Sequence, residues 1–237
     1  IRDRLFTINF NGRRLNVENV TRDGSGYVGK HAPDIGFSAD PWFRGIDLIY
    51  GPDGGVFIAD WSDSGECHDN DGVFRQSGRI YKISHCQPAR SAIADVAKLT
   101  PQGLLPLLDH KNEFFARHAR RRLQELASSG VDLTNIRAAL REKFAKESDV
   151  VRKLRALWSL HASGGADAAF LRAQLSHASE HVRTWAIRFL VDDTAVIAGD
   201  NVSTESLTRL AATEPSPFVR LALASALQRL PLARRAA

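Results

Sequence analysis

Two hydrophobic periodicities divide the chain. Residues 1–85 follow the short alternation of strands, broken by turn residues. "LFTINF" (5–10) runs into "NGRR", where Asn-Gly favours a hairpin because both residues tolerate positive φ. "LNVENV" (15–20) alternates apolar and polar, as a half-buried strand does. "GSGYVGKH" marks a further turn and strand. "IDLIYGPDGGVFIADW" (46–61) reads as a second hairpin, because Pro and Gly in "GPDGG" preset turn geometry. "GRIYKI" (78–83) is one more strand.

From residue 101 to 230 the period becomes helical. Apolar side chains fall at Val151, Leu154, Leu157 and Trp158, then at Val182, Trp185, Ala186, Phe189 and Leu190. A third set is Val219, Ala222, Leu223, Ala226, Leu227 and Leu230. Ser148, Ser179 and Ser216 stand where N-caps belong, with Pro217 at a first helical position. "NEFFARHARRRLQEL" fits the same frame, with Asn112 as cap and Phe115 in the valine slot. That slot recurs at 115, 151, 182 and 219, with gaps of 36, 31 and 37. Each such helix follows a shorter apolar-faced partner: "PQGLLPLLDH", "TNIRAALREKF", "DAAFLRAQL" and "TESLTRLAA". Helix pairs at this period predict an α-solenoid, because one pair cannot cover its own apolar face and a stack can. The pairs resemble short HEAT repeats carrying Val-Arg early in the second helix.

Composition sharpens the division. The chain has 237 residues, 43% of them hydrophobic, enough for a packed core, and no apolar run of the ~18 residues a membrane span needs. The net charge of +5 is uneven. Residues 1–88 hold 10 Lys+Arg and 12 Asp+Glu, while 89–237 hold 22 and 15. The simplest reading of the basic half is arginine on solvated helix faces. The cluster "RHARRRL" (117–123) reads the same way, and scattered arginines with few aromatics make a nucleic-acid partner a poor fit. His110 and His177 hold equivalent places in the turns "LLDHKNE" and "QLSHASE", which suggests a turn preference rather than ligands. His118, His161 and His181 lie on helices without partner ligands one turn away. There is no Met, even at position 1, so the expectation is a piece of a longer chain.

The strand half contains about two units of propeller-blade size. "GPDGGVFIADW" resembles an NHL-type or sugar-dehydrogenase-type blade. In order, "GSGYVGKHAPD", "DPWFRGIDLIYGPDGGVFIADWSDSGECHDNDG", "SGRIYKI" and "LLDHKNEFFARHARRRLQE" resemble the planctomycete-type membrane-bound dehydrogenases. Those join a sorbosone/glucose-dehydrogenase-like propeller to HEAT-like repeats, often with a c-type haem domain after them. The expected fold class is therefore β + α multidomain. It comprises a partial β-propeller of about two blades at 1–88, a linker at 89–100, an α-solenoid of about four HEAT-like pairs at 101–230, and a tail at 231–237. The resemblance implies the C-terminal portion of a quinoprotein-like sugar or alcohol dehydrogenase, periplasmic or bound to the cell envelope. PQQ, calcium and haem c would belong to the parent, and a c-type cytochrome domain would be its partner. No cofactor is expected within this segment, which alone would be inactive. Cys67-His68 lacks the upstream cysteine of a CxxCH haem motif.

The densest chemistry lies in "GVFIADWSDSGECHDNDG" (55–72). A metal is not expected: "DNDG" lacks the rest of a calcium loop, and zinc would need more than Cys67 and His68. Adjacent Cys and His on a strand point apart, so no catalytic nucleophile is assigned. Two readings stay open. In one, Arg44, Asp60, Trp61 and His68 line a substrate or cofactor pocket at the propeller mouth. In the other, Asp60 caps a turn, Trp61 packs between blades and the acidic loop is solvated. Cys67 and Cys86 are either two thiols or one disulfide, which would require an oxidising compartment. The alternative to an oxidoreductase is a non-enzymatic HEAT-repeat scaffold that holds a protein partner on its helical surface.

Overall fold

The computed structural model describes residues 4–64, 76–84, 93 and 95–235. The chain divides into two compact units, one built from strands and the other from helices that begin after Asp95.

The strand unit holds two sheets. The first contains β1 (Arg4–Asn9), β2 (Arg14–Asp23) and β3 (Gly26–Phe37), in that order. The second contains β4 (Gly45–Tyr50), β5 (Val56–Asp60) and β6 (Arg79–Ile83), also in chain order. The hairpins turn where the turn residues stand, but the first does not use the positive φ expected of Asn-Gly. Asn9 accepts the Gly12 N–H through its side chain at 2.6 Å, and Arg13, not Asn11 or Gly12, takes the left-handed φ of 52°. In the second hairpin Asp53 Oδ1 accepts the Gly55 N–H at 3.0 Å, and Gly54 supplies a φ of 80°. β1 packs against β4, and a side chain at Gly45 would collide with Ile8. One apolar cluster here is Leu15, Phe43 and Ile58, with Ile8 and Leu48 packed against them; Val17 and Ala32 are buried as well.

The described residues do not form the expected pair of propeller blades. A blade is a four-stranded sheet set around a central channel. Among the described residues each sheet has three strands. The reason the expectation failed is physical. Alternation and turn residues fix each hairpin locally, but the number of strands in a sheet depends on edge pairing between distant segments.

The helical unit opens with a 3₁₀ turn at Val96–Lys98. It continues through α1 (Pro101–Leu104), α2 (Glu113–Ser128), α3 (Thr134–Lys146) and α4 (Val150–Ala162). Then come α5 (Ala168–Ala173), α6 (Glu180–Leu190), α7 (Thr194–Gly199), α8 (Asn201–Thr213) and α9 (Pro217–Leu227). Successive second helices pack on one another, α2 on α4, α4 on α6 and α6 on α9, and each also packs on the helix before it. This stack is consistent with an α-solenoid. Its largest core cluster runs from Phe144 through Leu157, Ile187 and Val219 to Leu230.

Two local expectations move. The cap of α4 is Asp149, which accepts the Arg152 N–H at 2.9 Å, and not Ser148. One residue along a helix turns the face by about 100°. Val151 therefore points outward, 55% exposed, while Val150 packs against the core. Helix α7 was not expected. Asp193 caps it, accepting from Ala195 and Val196 N–H, and Ile197 is fully buried.

The turn within each pair shares one device. His110 Nδ1 accepts the Asn112 N–H and His177 Nδ1 the Ser179 N–H, both at 3.0 Å. Glu147 accepts the Asp149 N–H at 3.0 Å, and Glu214 the Ser216 N–H at 2.9 Å. The acceptor alternates His, Glu, His, Glu while the bond stays the same. A neutral imidazole nitrogen is needed for it. Burial lowers the His177 pKa, and the nearby Lys153 and Arg183 charges add to the effect. Since its folded pKa lies below the ordinary 6.5, the unfolded chain binds the proton better. Its contribution is thus complete above pH 6.5 and is lost as pH falls below it. His177→Asn keeps an acceptor without the titration. Urea midpoints should fall between about pH 7.5 and about pH 5.5 in the native protein and fall less in the variant.

Candidate functional site

Of the expected pocket residues, Arg44 and Asp60 bond backbone groups of the strand unit. The Asp60 side chain is fully buried at the end of β5. Its carboxylate accepts the Arg44 and Ser62 backbone N–H groups at 2.8 and 2.9 Å, and Arg79 Nε at 2.8 Å. Arg79 also pairs with Asp40. This knot lets the chain turn sharply after β5, where Ser62 is held at a φ of 54°. Arg44 directs its guanidinium at three carbonyl groups, Pro41, Phe43 and Ser64, at 2.9, 3.0 and 3.1 Å. Trp61 is 56% exposed, and its backbone N–H bonds the Arg44 carbonyl. The structure thus brings Arg44 and Asp60 together through backbone bonds and leaves Trp61 outside that knot. His68, Cys67 and Cys86 lie outside the described residues, as do Glu66, Asp69 and Asp71. Among the described residues no cluster of His, Cys, Asp and Glu is placed to hold a metal ion. No helix among them is long and apolar enough to cross a membrane.

The reading of a solvated basic face holds for arginines such as Arg117, Arg121 and Arg188, which are exposed, but not for all of them. Several staple one turn of the stack to another. Arg155 on α4 donates to the Leu108 and His110 carbonyls and pairs with Glu113. Arg137 and Arg141 on α3 reach the Ser163 and Gly165 carbonyls after α4, at 2.8 and 2.7 Å. Arg183 on α6 donates to the His177 and Ala178 carbonyls and grips Glu214 through two bonds of 2.9 and 2.7 Å. Carbonyls at helix ends carry partial negative charge, and a guanidinium satisfies several at once.

A second set of side chains packs on the outer side of the core cluster and is only partly covered by it. Trp158 on α4 meets Trp185 on α6 edge to face, with ring centroids 5.2 Å apart. Trp185 meets Phe189 at 5.3 Å, and the Phe189 ring stacks on His161 at 3.7 Å. Arg120 lies over Trp158 and Arg188 over Trp185, at 5.3 and 5.0 Å. All three large aromatics are half-buried. They form a stripe across the second helices, bordered by cations. Beside it runs a groove between α6 and α9 of about 370 Å³, whose lining includes Arg188, Asp192, Phe218, Leu221, Ser225 and Arg229. Sequence periodicity placed Trp158 and Trp185 in the core face. Slot alignment hides their contact, because Trp158 stands one helical turn further from its cap than Trp185 does. Aromatic and arginine residues on a half-buried surface are the composition of binding hot spots.

No protein family, curated protein or solved structure matches this chain.

Proposed function

We propose that this chain acts as a non-enzymatic docking scaffold, with the second-helix face of the helical unit as its binding surface. One observation carries the reading: the continuous stripe Trp158–Trp185–Phe189, flanked by Arg120 and Arg188, crosses neighbouring helices. Rigid aromatics lose little freedom on binding, and a stacked helical frame holds them in fixed positions. The Asp60 carboxylate favours this reading over an oxidoreductase pocket, because its bonds to Arg44, Ser62 and Arg79 hold the sheet end together. The dehydrogenase resemblance also relied on propeller blades, and three-stranded sheets do not supply them.

The test is peptide display on the full chain, followed by affinity measurement of the selected binders. Truncating a central aromatic hot spot costs about 2 kcal/mol or more, roughly thirtyfold in Kd. Trp185→Ala should weaken selected binders by that order, with the far-ultraviolet spectrum retained. Binders indifferent to both Trp158→Ala and Trp185→Ala would overturn the assignment.

A further inference from the structure

We infer that the α6/α9 groove seats one bulky apolar side chain of an acidic linear segment, and that Arg188 pairs with a carboxylate beside that anchor. This rests on the docking reading above and names the partner's chemistry. The groove floor is apolar, made by buried Val191, Ala222 and Ala226. Phe218 and Leu221 form its walls, and Leu221 is half exposed, at 49%. A space of about 370 Å³ accepts a large side chain.

Charge selects the rest of the ligand. Arg188 is exposed at the rim, held over the Trp185 ring, and no carboxylate pairs with it among the described residues. Arg229 crosses the floor to the Val191 and Asp192 carbonyls, which leaves part of its guanidinium toward the groove. The one acid of the lining, Asp192, is engaged by His161 Nε2 at 3.2 Å. The half of the chain that carries the groove has 22 Lys+Arg against 15 Asp+Glu, so long-range attraction also favours an acidic partner. A guanidinium preorganised on an aromatic face forms a directional pair with a carboxylate. The ligand is therefore a short peptide with one large apolar residue next to Asp or Glu.

The probes are fluorescein-labelled acidic peptides with one central tryptophan, the same peptides with alanine at that position, and versions with lysine for each acid. Anisotropy titrations use the full chain. The acidic tryptophan peptide should bind, and both replacements should weaken it by about tenfold or more. Arg188→Glu should weaken the acidic peptide similarly and improve the lysine version. Ser225→Trp places bulk at an exposed lining position and should block the anchor without altering charge. Binding that survives both Arg188→Glu and Ser225→Trp but fails in Trp158→Ala would overturn the groove and leave the docking face standing. Equal binding of acidic and lysine peptides, or no binding of any peptide, would overturn the inference itself.

Discussion

Replacing Glu214 by alanine should lower the stability of the helical unit by about 3–5 kcal/mol, because it strands a buried guanidinium. The Glu214 side chain is 2% exposed and Arg183 is 13% exposed. Arg183 meets both carboxylate oxygens, and the same carboxylate accepts the Ser216 N–H at the start of α9. Burial by itself would raise the Glu214 pKa. The Arg183 bonds and the Ser216 amide outweigh it, so the carboxyl titrates below its ordinary 4.5. The contribution is complete above pH 4.5 and is lost as pH falls below it, well clear of the His177 window. Chemical denaturation at neutral pH measures the loss. Glu214→Ala together with Arg183→Met should recover much of it, since removing both charges leaves neither unpaired. A single variant as stable as the native chain would show that the pair does not join the third and fourth helix pairs.

Asp60→Ala should destabilise the strand unit by about 3 kcal/mol, enough to expose the β4–β6 sheet to proteolysis. Two backbone N–H groups and Arg79 lose their acceptor together. Asp60→Asn retains an oxygen acceptor and should cost less. Hydrogen exchange at the β5 and β6 amides separates the cases. Unchanged protection in Asp60→Ala would mean that the knot does not hold the sheet and would return Asp60 to the set of free functional groups.

Much of the secondary structure was legible in the residues. The Asn-Gly and Gly-Pro-Asp-Gly-Gly turns lie between paired strands, and Asn112 and Ser216 cap helices. The turn role read for His110 and His177 is the role they have. Its extension to Glu147 and Glu214 was missed, because the repeat conserves a hydrogen-bond acceptor and not a residue type. The Val151 slot failed for a similar reason. A choice between Ser148 and Asp149 as cap decides which valine faces inward, and periodicity alone does not separate adjacent caps. The candidate site was less legible. The pocket reading grouped Arg44, Asp60, Trp61 and His68 by their chemistry; it could not foresee that the Asp60 carboxylate bonds the Arg44 N–H and that the Trp61 N–H bonds the Arg44 carbonyl.

The sequence by itself determined the two periodicities, and with them the strands, the helix pairs and their order. Those depend on neighbours within a few residues, where dihedral preference and side-chain spacing act directly. Only the tertiary structure decided how many strands share a sheet, which arginines bond distant carbonyls, and that Trp158 and Trp185 meet. Each of these depends on segments brought together by packing, and the energy of such a contact has no counterpart in the local pattern of the chain.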